Sequence, residues 1–236
     1  MIDVAEIAEL LRRRREGRTP YIGGVTGAVA VGKSTFAGEL AAAIGAWPEA
    51  PVVEVVATDG FLFPNAVLEG RGLLNRKGFP ETYDGEALRA AVSAIRKGPA
   101  LFPTYSHMAY DVDPTLARRL DRPDVLIVEG LGLHEGAASL GLDALIYLDA
   151  DEAHIETWFE ERFIDLWRAA EADPASFYAR FRHMDEAQTR ALAGQVWRGI
   201  NLPNLREHIA NGRDVADIVV RKDASHAIQS VTGRTP

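Results

Sequence analysis

The sequence predicts an α/β fold in which a mostly parallel sheet of five strands is flanked by helices. Short apolar runs alternate with helical patterns along the chain, and a glycine-rich motif follows the first of these runs. The chain has 236 residues, of which 47% are hydrophobic and 25% are charged, so its length and composition suit one elaborated globular domain. We therefore expect residues 1–236 to form a single domain.

The five apolar runs have the composition of parallel strands that are covered on both faces. Helical patterns at Lys33–Ile44 and Glu86–Arg96 separate them, which predicts right-handed crossovers. The predicted strands are Tyr21–Thr26, Val52–Thr58, Val125–Glu129, Ala144–Leu148 and Ile218–Arg221.

The remaining segments carry other predictions. Residues 1–20 contain a short amphipathic helix that ends before Pro20, and residues 151–211 have helical patterns without a strand, which predicts a helical lid. The segment 64–84 is too long for an ordinary connection, so we expect it to be functional or disordered. We expect residues 225–236 to form a frayed tail.

Composition and charge argue against several classes of protein. Acidic residues outnumber basic ones by 34 to 26, and the net charge of −8 disfavours binding to nucleic acid or to an anionic membrane. The basic run 12–15 is flanked by glutamates, which favours a solvated helix end over a polyanion site. The chain has no cysteine, no apolar stretch of about 18 residues and no basic leader, so we expect a cytoplasmic protein.

Residues 27–34 match the pattern G-x-x-x-x-G-K-[ST] between a predicted strand and a predicted helix. Glycines let successive backbone N–H groups turn toward one anion, and the N-terminus of the helix adds partial positive charge. The lysine of such a loop reaches the β- and γ-phosphates of a nucleotide, and the hydroxyl that follows it binds Mg²⁺. The motif predicts ATP and Mg²⁺ as ligands, with the nucleotide held by Gly27, Val29, Ala30, Val31, Gly32, Lys33, Ser34 and Thr35.

Two acidic residues at strand ends indicate phosphoryl transfer. The sequence lacks the N-K-x-D motif of GTPases and the L-S-G-G-Q signature of transporter ATPases, which favours a kinase. Asp59 follows the second predicted strand and Glu129 ends the third, and ligands of open parallel sheets lie beyond these ends. We assign Asp59 as the base that accepts a proton from the acceptor alcohol, and Glu129 with Ser34 as metal ligands, although spacing alone leaves the reverse assignment open.

The helical region 151–211 supplies two candidate catalytic cations. At about 100° per residue, Arg162 falls on the apolar face of its helix, where it either pairs with a buried acid or closes over the transferring phosphate. Arg168 falls on the opposite side, where solvent exposure explains it equally well. His107 lies in the polar and aromatic stretch 104–111, which suits either packing or a substrate pocket.

Several sequence blocks, taken in order, resemble one family. Together they are similar to the type I (prokaryotic) pantothenate kinases of the P-loop phosphoribulokinase/uridine kinase group, from about residue 20 to residue 209. Besides the glycine-rich motif, the blocks are Asp-Gly-Phe at 59–61, Lys-Gly-Phe-Pro-Glu at 77–81, Tyr-Ser-His at 105–107, Glu-Gly-Leu at 129–131, Arg162-Phe163 and Ile200-Asn201.

The resemblance implies a P-loop kinase fold and the ATP-dependent phosphorylation of the primary alcohol of pantothenate, the first step of coenzyme A synthesis, in a homodimer. It implies that Asp59 is the base and that Arg168 holds phosphate or substrate oxygens. It also implies that Tyr105, His107, Tyr110 and Asn201 line the pantothenate pocket.

Departures from the family's pattern bear on substrate and regulation. Only 20 residues precede the first predicted strand, Gly132 stands where an asparagine is common, and Ala169–Ala172 replaces a segment that tends to carry an aromatic residue. Gly38 aligns with a basic residue associated with feedback by coenzyme A. Two alternatives therefore stay open: a related kinase acting on uridine, glycerate or a sugar-like acceptor, and a non-catalytic ATP-binding regulatory protein.

Overall fold

The computed structural model describes residues 3–233, with the exception of the side chains of residues 136–139. Eight strands lie in this range. They are β1 (Tyr21–Gly27), β2 (Val53–Ala57), β3 (Ala100–Ser106), β4 (Asp111–Leu120), β5 (Val125–Glu129), β6 (Ala144–Asp149), β7 (Ile218–Lys222) and β8 (Ile228–Gly233).

Six of the strands form one sheet in the order β2-β5-β1-β6-β7-β8. The first five in this order run parallel, and β8 returns antiparallel to β7. Strands β3 and β4 form a separate antiparallel hairpin. Every residue of β1, β5 and β6 is buried, because these strands lie inside the sheet and are covered on both faces.

Helices connect and cover the strands. The second helix packs on the first and contacts β1, β2 and β5, and the fifth contacts β1. A continuous helical segment at 186–209 contains two π-helical stretches, Trp197–Asn201 and Leu205–Ile209. The α-helices are α1 (Val4–Arg15), α2 (Lys33–Gly45), α3 (Asn65–Gly70), α4 (Gly85–Ile95), α5 (Leu133–Leu140), α6 (Glu152–Ala169), α7 (Glu186–Val196), α8 (Leu202–Asn204) and α9 (Gly212–Val215).

The predicted α/β fold is confirmed, and each of the five predicted strands is present within one residue of its predicted bounds. The prediction of only five strands is wrong, because Ile228–Gly233, expected to fray, pairs with β7 as a sixth strand. Its residues are half-buried or exposed in the structure, and its sequence has no continuous apolar run that would predict a strand. The two strands pair because β7 would otherwise present a row of unpaired backbone N–H and C=O groups at the edge of the sheet.

The β3–β4 hairpin was not predicted from the sequence. Pro103 and Pro114 lie within its two strands, and β4 has only one fully buried residue, so neither strand shows the usual alternation. A bulge between Phe102 and Thr104 accommodates the proline. Tyr105 lies near the end of β3, and His107 and Tyr110 lie in the turn that follows, so this hairpin positions three of the predicted substrate residues.

The segment 64–84 is ordered. It contains α3 and two short 3₁₀ turns, Leu74–Arg76 and Pro80–Thr82. Leu62 on its N-terminal side pairs with Tyr83 through an isolated antiparallel bridge. The sequence left open whether this long connection is functional or disordered, and the structure shows that it is an ordered loop.

No helix within residues 3–233 combines the length and the apolar character that crossing a membrane requires.

The turn that follows β2 depends on a glycine. A Cβ atom on Gly60 would lie 2.0 Å from the backbone oxygen of Pro103, which cannot move without shifting β3. We expect Gly60→Ala to lower the free energy of unfolding by about 1–3 kcal/mol, as overpacking typically does, measured by urea denaturation. The matched control is Gly38→Ala on α2, where a Cβ meets nothing within 4 Å and alanine is expected to be neutral or stabilising. Equal stability of Gly60→Ala and the unmutated protein would contradict this packing.

Candidate active site

The registers of three neighbouring strands bring the predicted site residues to one edge of the sheet. Glu129, the last residue of β5, lies opposite Ala57 on β2 and Val25 on β1. Asp59 therefore follows shortly after one neighbour of Glu129, and the glycine-rich loop follows shortly after the other. Ligands of parallel sheets bind at this edge, and the described structure places both acids and the loop there.

The glycine-rich loop has the backbone that an anion cradle requires. Gly27 and Gly32 have φ angles of 146° and 85°, and Ala30 adopts φ 62° between them. A Cβ atom on Gly27 would lie 2.5 Å from the backbone oxygen of Leu148, so only glycine fits there. Gly32 is the N-cap of α2 and offers no side chain, which leaves the N–H groups of the first helical turn for a ligand.

Lys33 and Glu129 face each other across this loop. The Lys33 ammonium donates to the backbone oxygen of Ala28 at 2.8 Å. Burial lowers the pKa of Lys33, and the charges of Glu129 and Asp59 oppose this shift. Burial raises the pKa of Glu129, with Lys33 and the Ser34 hydrogen bond opposing. Both shifts have the direction expected of charged groups that are removed from water.

Ser34 and Glu129 fit a magnesium ion. The Ser34 hydroxyl donates to Glu129 Oε1 at 2.8 Å, and Glu129 is 7% exposed. Among residues 3–233, no group of three or more acidic or histidine side chains is arranged to hold a metal by itself. Mg²⁺ prefers oxygen ligands and is commonly held by one or two protein groups together with nucleotide phosphates, which this pair of donors suits.

Asp59 lies on the 3₁₀ turn Thr58–Phe61, where its carboxylate is fixed by one partner. The Tyr83 hydroxyl donates to Asp59 Oδ1 at 3.1 Å. Burial and the negative charge of Asp59 raise the pKa of Tyr83 well above its ordinary value, so the phenol keeps its proton and remains a donor. The other carboxylate oxygen, Oδ2, forms no hydrogen bond within the described part of the chain.

The end of β3 and the hairpin turn bring three predicted substrate residues together. The Tyr105 ring meets the His107 ring edge-on at 5.2 Å and the Tyr110 ring at 6.2 Å. Desolvation and the charge of Arg162 lower the pKa of His107, so its imidazole is neutral at pH 7. Burial raises the pKa of both tyrosines, and the charge of Asp59 adds to the shift of each.

Lys77 is a functional candidate that the sequence analysis placed in the Lys-Gly-Phe-Pro-Glu block without assigning it a role. Its ammonium donates to Asn65 Oδ1 and to the backbone oxygen of Tyr110, both at 2.6 Å. The same ammonium lies 4.7 Å from the Tyr105 ring centre and 4.4 Å from that of Tyr110. Burial lowers its pKa to about 8, against the opposing charges of Asp111 and Asp59.

The helical region contributes Arg162 and Phe177 to the site. The charge of Arg162 on α6 acts on Lys33, Glu129 and His107, so this guanidinium lies close to the predicted phosphate and substrate residues. Arg162 is exposed and forms no ion pair within the described residues, and the buried acid on which its charge acts is Glu129. Phe177 stacks on Tyr110 at 4.0 Å, and its N–H donates to the backbone oxygen of Met108.

Two other predicted residues form no hydrogen bond, ion pair or ring contact with this cluster within the described residues. Arg168 is exposed in the last turn of α6, where it donates to Glu186 at 2.7 Å and approaches Asp165 at 3.8 Å. Asn201 is half-buried on the π-helical stretch Trp197–Asn201. The structure brings Asp59, Lys33, Glu129, Tyr105, His107, Tyr110 and Arg162 together and leaves Arg168 in a separate ion pair.

Lys222 was also missed by the sequence predictions. It is 7% exposed at the end of β7, and its ammonium donates to the backbone oxygen of Val31 at 3.1 Å. A Cβ atom on Gly32 would lie 3.0 Å from that ammonium. A second buried cation therefore supports the glycine-rich loop from the carboxyl end of the sheet, 189 residues further along the chain than Lys33. No local motif signals a contact of such long range.

Comparisons with known proteins agree with this site. No protein-family model matches the sequence. The pantothenate kinase of Xanthobacter autotrophicus is 45% identical over 232 residues, which cover 93% of this chain and 72% of that protein. The pantothenate kinase of Leifsonia xyli subsp. xyli is 45% identical over 226 residues and 70% of its own length, and that of Sinorhizobium medicae is 41% identical over 250 residues and 76% of its own length.

Solved structures share the fold. A kinase from Silicibacter sp. TM1040, named for a fructose transport system, superposes with a TM-score of 0.72 at 25% identity and covers 92% of this chain and 96% of its own. D-glycerate 3-kinase from Cryptococcus neoformans var. grubii superposes with a TM-score of 0.68 at 15% identity and covers 98% and 99%. The predicted family and the P-loop kinase fold are confirmed: with relatives at 41–45% identity over most of both sequences, this chain belongs to the pantothenate kinase family.

Proposed function

We propose that the protein transfers the γ-phosphoryl group of ATP to the primary hydroxyl of pantothenate. The observation that carries the proposal is the position of Asp59, whose charge acts on Lys33 and Glu129 on one side and on Tyr105, His107 and Tyr110 on the other. An acid between a nucleotide loop and an aromatic pocket suits a general base. The choice of acceptor is supported by the relatives, which are pantothenate kinases by name.

In this proposal the glycine-rich loop holds the triphosphate. Its backbone N–H groups and the N-terminus of α2 bind phosphate oxygens, and Lys33 exchanges its bond to Ala28 for the β- and γ-phosphates. Ser34 and Glu129 hold Mg²⁺, which supplies positive charge to the phosphates. Lys222 keeps the loop in its anion-binding form through Val31.

The transfer step uses three groups of this chain. Asp59 accepts the proton of the pantothenate hydroxyl as that oxygen forms a bond to the γ-phosphorus, and the bond from the phosphorus to the bridging oxygen breaks so that ADP leaves with the electron pair. Tyr83 holds Oδ1 of the base, which leaves Oδ2 for the acceptor hydroxyl. We assign Arg162 to the charge that develops on the transferring group. A contribution from Arg168 would require that it release Glu186.

The acceptor binds in the space between the hairpin turn and the helical region. Tyr105, Tyr110 and Phe177 offer their ring edges to the dimethyl part of pantothenate, and neutral His107 offers a hydrogen bond. Asn201, the homodimer and the cytoplasmic location remain predictions that rest on the sequence.

An acceptor panel tests the proposal. ADP release is measured with purified protein, Mg²⁺ and ATP in the presence of pantothenate, uridine, glycerate or ribulose 5-phosphate. We expect turnover above the background ATP hydrolysis with pantothenate and not with the others. Turnover with another acceptor alone would replace pantothenate and retain the kinase, and ATP binding without any turnover would favour a regulatory protein.

Removal of the base is expected to affect turnover and leave nucleotide binding intact. Asp59→Asn is nearly isosteric and cannot accept the proton, so kcat should fall by about 10²–10⁴-fold. The affinity for ATP, measured by calorimetry, should change by less than about threefold, because Asp59 does not bind the nucleotide.

The matched control is Asp111→Asn, which removes an acid from the hairpin that bonds Asn65 N and Val112 N instead of facing the acceptor. We expect it to change kcat by less than about tenfold. The assignment of the base fails if Asp59→Asn keeps more than a tenth of the activity, or if the two variants lose equal amounts.

The charge of Lys77 predicts a pH dependence. Because its pKa is lowered to about 8, the ammonium loses its proton as the pH rises through that value and no longer attracts the faces of Tyr105 and Tyr110. We expect kcat/KM for pantothenate to fall above pH 8, mainly through KM. In Lys77→Arg, which stays charged, the fall should move to higher pH.

Destabilisation of the fold by the titration of Lys77 does not account for such a fall. The pKa of Lys77 is about 8 in the folded protein, whereas an unperturbed lysine, as in the unfolded chain, has a pKa of 10.5. Between these pH values the unfolded chain binds more protons than the folded protein. The contribution of Lys77 to the free energy of unfolding therefore rises with pH in this range. A pH profile of Lys77→Arg that overlays that of the unmutated protein would contradict this role.

A further inference from the structure

The segment 77–83, here named the linking turn, connects the acceptor side of the site to the base. At one end, the Lys77 ammonium donates to the backbone oxygen of Tyr110 at 2.6 Å. At the other end, the Tyr83 hydroxyl donates to Asp59 Oδ1 at 3.1 Å. Because the linking turn is short, its conformation decides whether both side chains reach their partners at the same time.

Thr82 closes the linking turn from inside through one hydroxyl group. Its side chain is fully buried, with 0% exposure. The hydroxyl donates to the backbone oxygen of Phe79 at 2.6 Å and accepts from the backbone N–H of Gly78 at 3.1 Å. Removal of this hydroxyl would take away the partner of the Gly78 N–H, which is costly for a group held away from water.

Gly78 is held a second time, by Asn204 of the helical segment 186–209. The Asn204 side chain is 4% exposed, and its amide donates to the backbone oxygen of Gly78 at 2.9 Å. Gly78 has a φ angle of 99°, and glycine is conformationally free, so contacts from outside must fix this residue. Because peptide groups are planar, the Thr82 bond orients the peptide before Gly78 and the Asn204 bond orients the peptide after it. The direction in which Lys77 leaves the linking turn is therefore set by two buried side chains.

The backbone of Thr82 is attached to the segment that carries the base. The N–H of Phe63 donates to the backbone oxygen of Thr82 at 2.9 Å, and Leu62 pairs with Tyr83 through the isolated bridge. The N–H of Leu62 in turn donates to the backbone oxygen of Asp59 at 3.2 Å. Thr82 therefore joins the base, through its backbone, to the acceptor end of the linking turn, through its side chain.

We propose that Thr82 is a positioning residue for phosphoryl transfer, which holds Lys77 against the acceptor rings and Tyr83 against the base. Asn204 has the first of these two roles only. Both residues act through the linking turn and touch none of the reacting groups. Their effect on turnover rests on the proposed kinase function, whereas the placement of Lys77 is measurable without it.

The pKa of Lys77 reports this placement. Burial lowers the pKa to about 8, and the charges of Asp111 and Asp59 oppose the shift. A Lys77 side chain that leaves its place regains contact with water, so its pKa should rise toward 10.5. The titratable side chains that act on Lys77 or lie against it are Asp59, Tyr105, His107, Tyr110 and Asp111.

NMR of the protein with carbon-13-labelled lysine measures this pKa without nucleotide or acceptor. The chain has four lysines, and Lys77→Arg identifies the signal of Lys77 by its loss. We expect Thr82→Val, which removes the hydroxyl but keeps the branched shape, and Asn204→Leu to raise the pKa of Lys77 toward 10.5. Thr82→Ser, which keeps the hydroxyl, should leave this pKa at about 8.

Thr189→Val is the matched control. Thr189 on α7 is also 0% exposed, and its hydroxyl donates to the backbone oxygen of Asp185 at 2.8 Å. This variant should lower stability without changing the pKa of Lys77. The same pKa in the unmutated protein and in folded Thr82→Val would overturn the proposal. If Thr82→Val does not fold, Asn204→Leu decides, and an unchanged pKa of Lys77 in that variant would overturn the proposal.

Kinetic measurements test the effect on turnover. Thr82→Val should raise KM for pantothenate by about tenfold or more and lower kcat by about 3- to 10-fold, because it loosens both ends of the linking turn. Asn204→Leu should raise KM for pantothenate with kcat unaltered. In both variants the alkaline fall of kcat/KM should move to higher pH, and KM for ATP should change by less than about twofold. Thr82→Ser and Thr189→Val should keep the kinetics of the unmutated protein.

The two measurements separate the possible failures. A raised pKa of Lys77 in Thr82→Val with the kinetics of the unmutated protein would overturn the role in turnover. Absence of activity with every acceptor would overturn the kinase proposal, and the NMR measurement would still decide whether Thr82 places Lys77.

Discussion

The arrangement of the whole site depends on the parallel pairing of β2, β5 and β1. Their registers align Glu129 with Ala57 on one side and Val25 on the other, so the glycine-rich loop, the base and the metal ligand emerge at one edge of the sheet. The cost is a half-buried cation, Lys33, and a buried acid, Glu129, whose pKa values both shift toward their neutral forms. Such groups are well matched to a ligand that brings both phosphate and metal charge.

The acceptor side is built from elements outside the sheet. The β3–β4 hairpin supplies the aromatic rings, the segment 64–84 supplies Lys77 beneath them, and α6 supplies Arg162. Phe177, on the 3₁₀ turn Phe177–Phe181 of the helical region, joins that region to the hairpin, because it stacks on Tyr110 and its N–H donates to the backbone oxygen of Met108. A movement of the helical region would therefore change the aromatic pocket and the position of Arg162 together.

The sequence predicts the nucleotide half of the site better than the acceptor half. The loop motif and the strand-end acids depend on local patterns with a fixed spacing, so Lys33, Ser34, Asp59 and Glu129 could be placed by reading short segments. The fold class followed from strand and helix alternation in the same way. These features can be predicted because each depends on residues that are close to one another in the sequence.

The rest depends on contacts between distant segments. Pro103, Pro114 and exposed side chains conceal the hairpin, and β8 has the composition of a tail until the open edge of β7 is known. Lys222 reaches Val31 across the sheet, and Tyr83 reaches Asp59 through an isolated bridge, with no local signal for either. For the arginines, the helical pattern favoured Arg162 and the resemblance favoured Arg168; in the described structure Arg162 is near the cluster, whereas Arg168 pairs with Glu186.

The central claim is that Asp59 joins a nucleotide site to an acceptor site. A crystal structure with Mg²⁺, a non-hydrolysable ATP analogue and pantothenate tests it most directly. We predict the terminal phosphate beside Lys33, the metal on Ser34 and Glu129, and the primary hydroxyl of pantothenate within hydrogen-bond distance of Asp59 Oδ2. A complex in which pantothenate lies away from Asp59, or in which Lys33 still bonds Ala28 with nucleotide bound, would contradict the account.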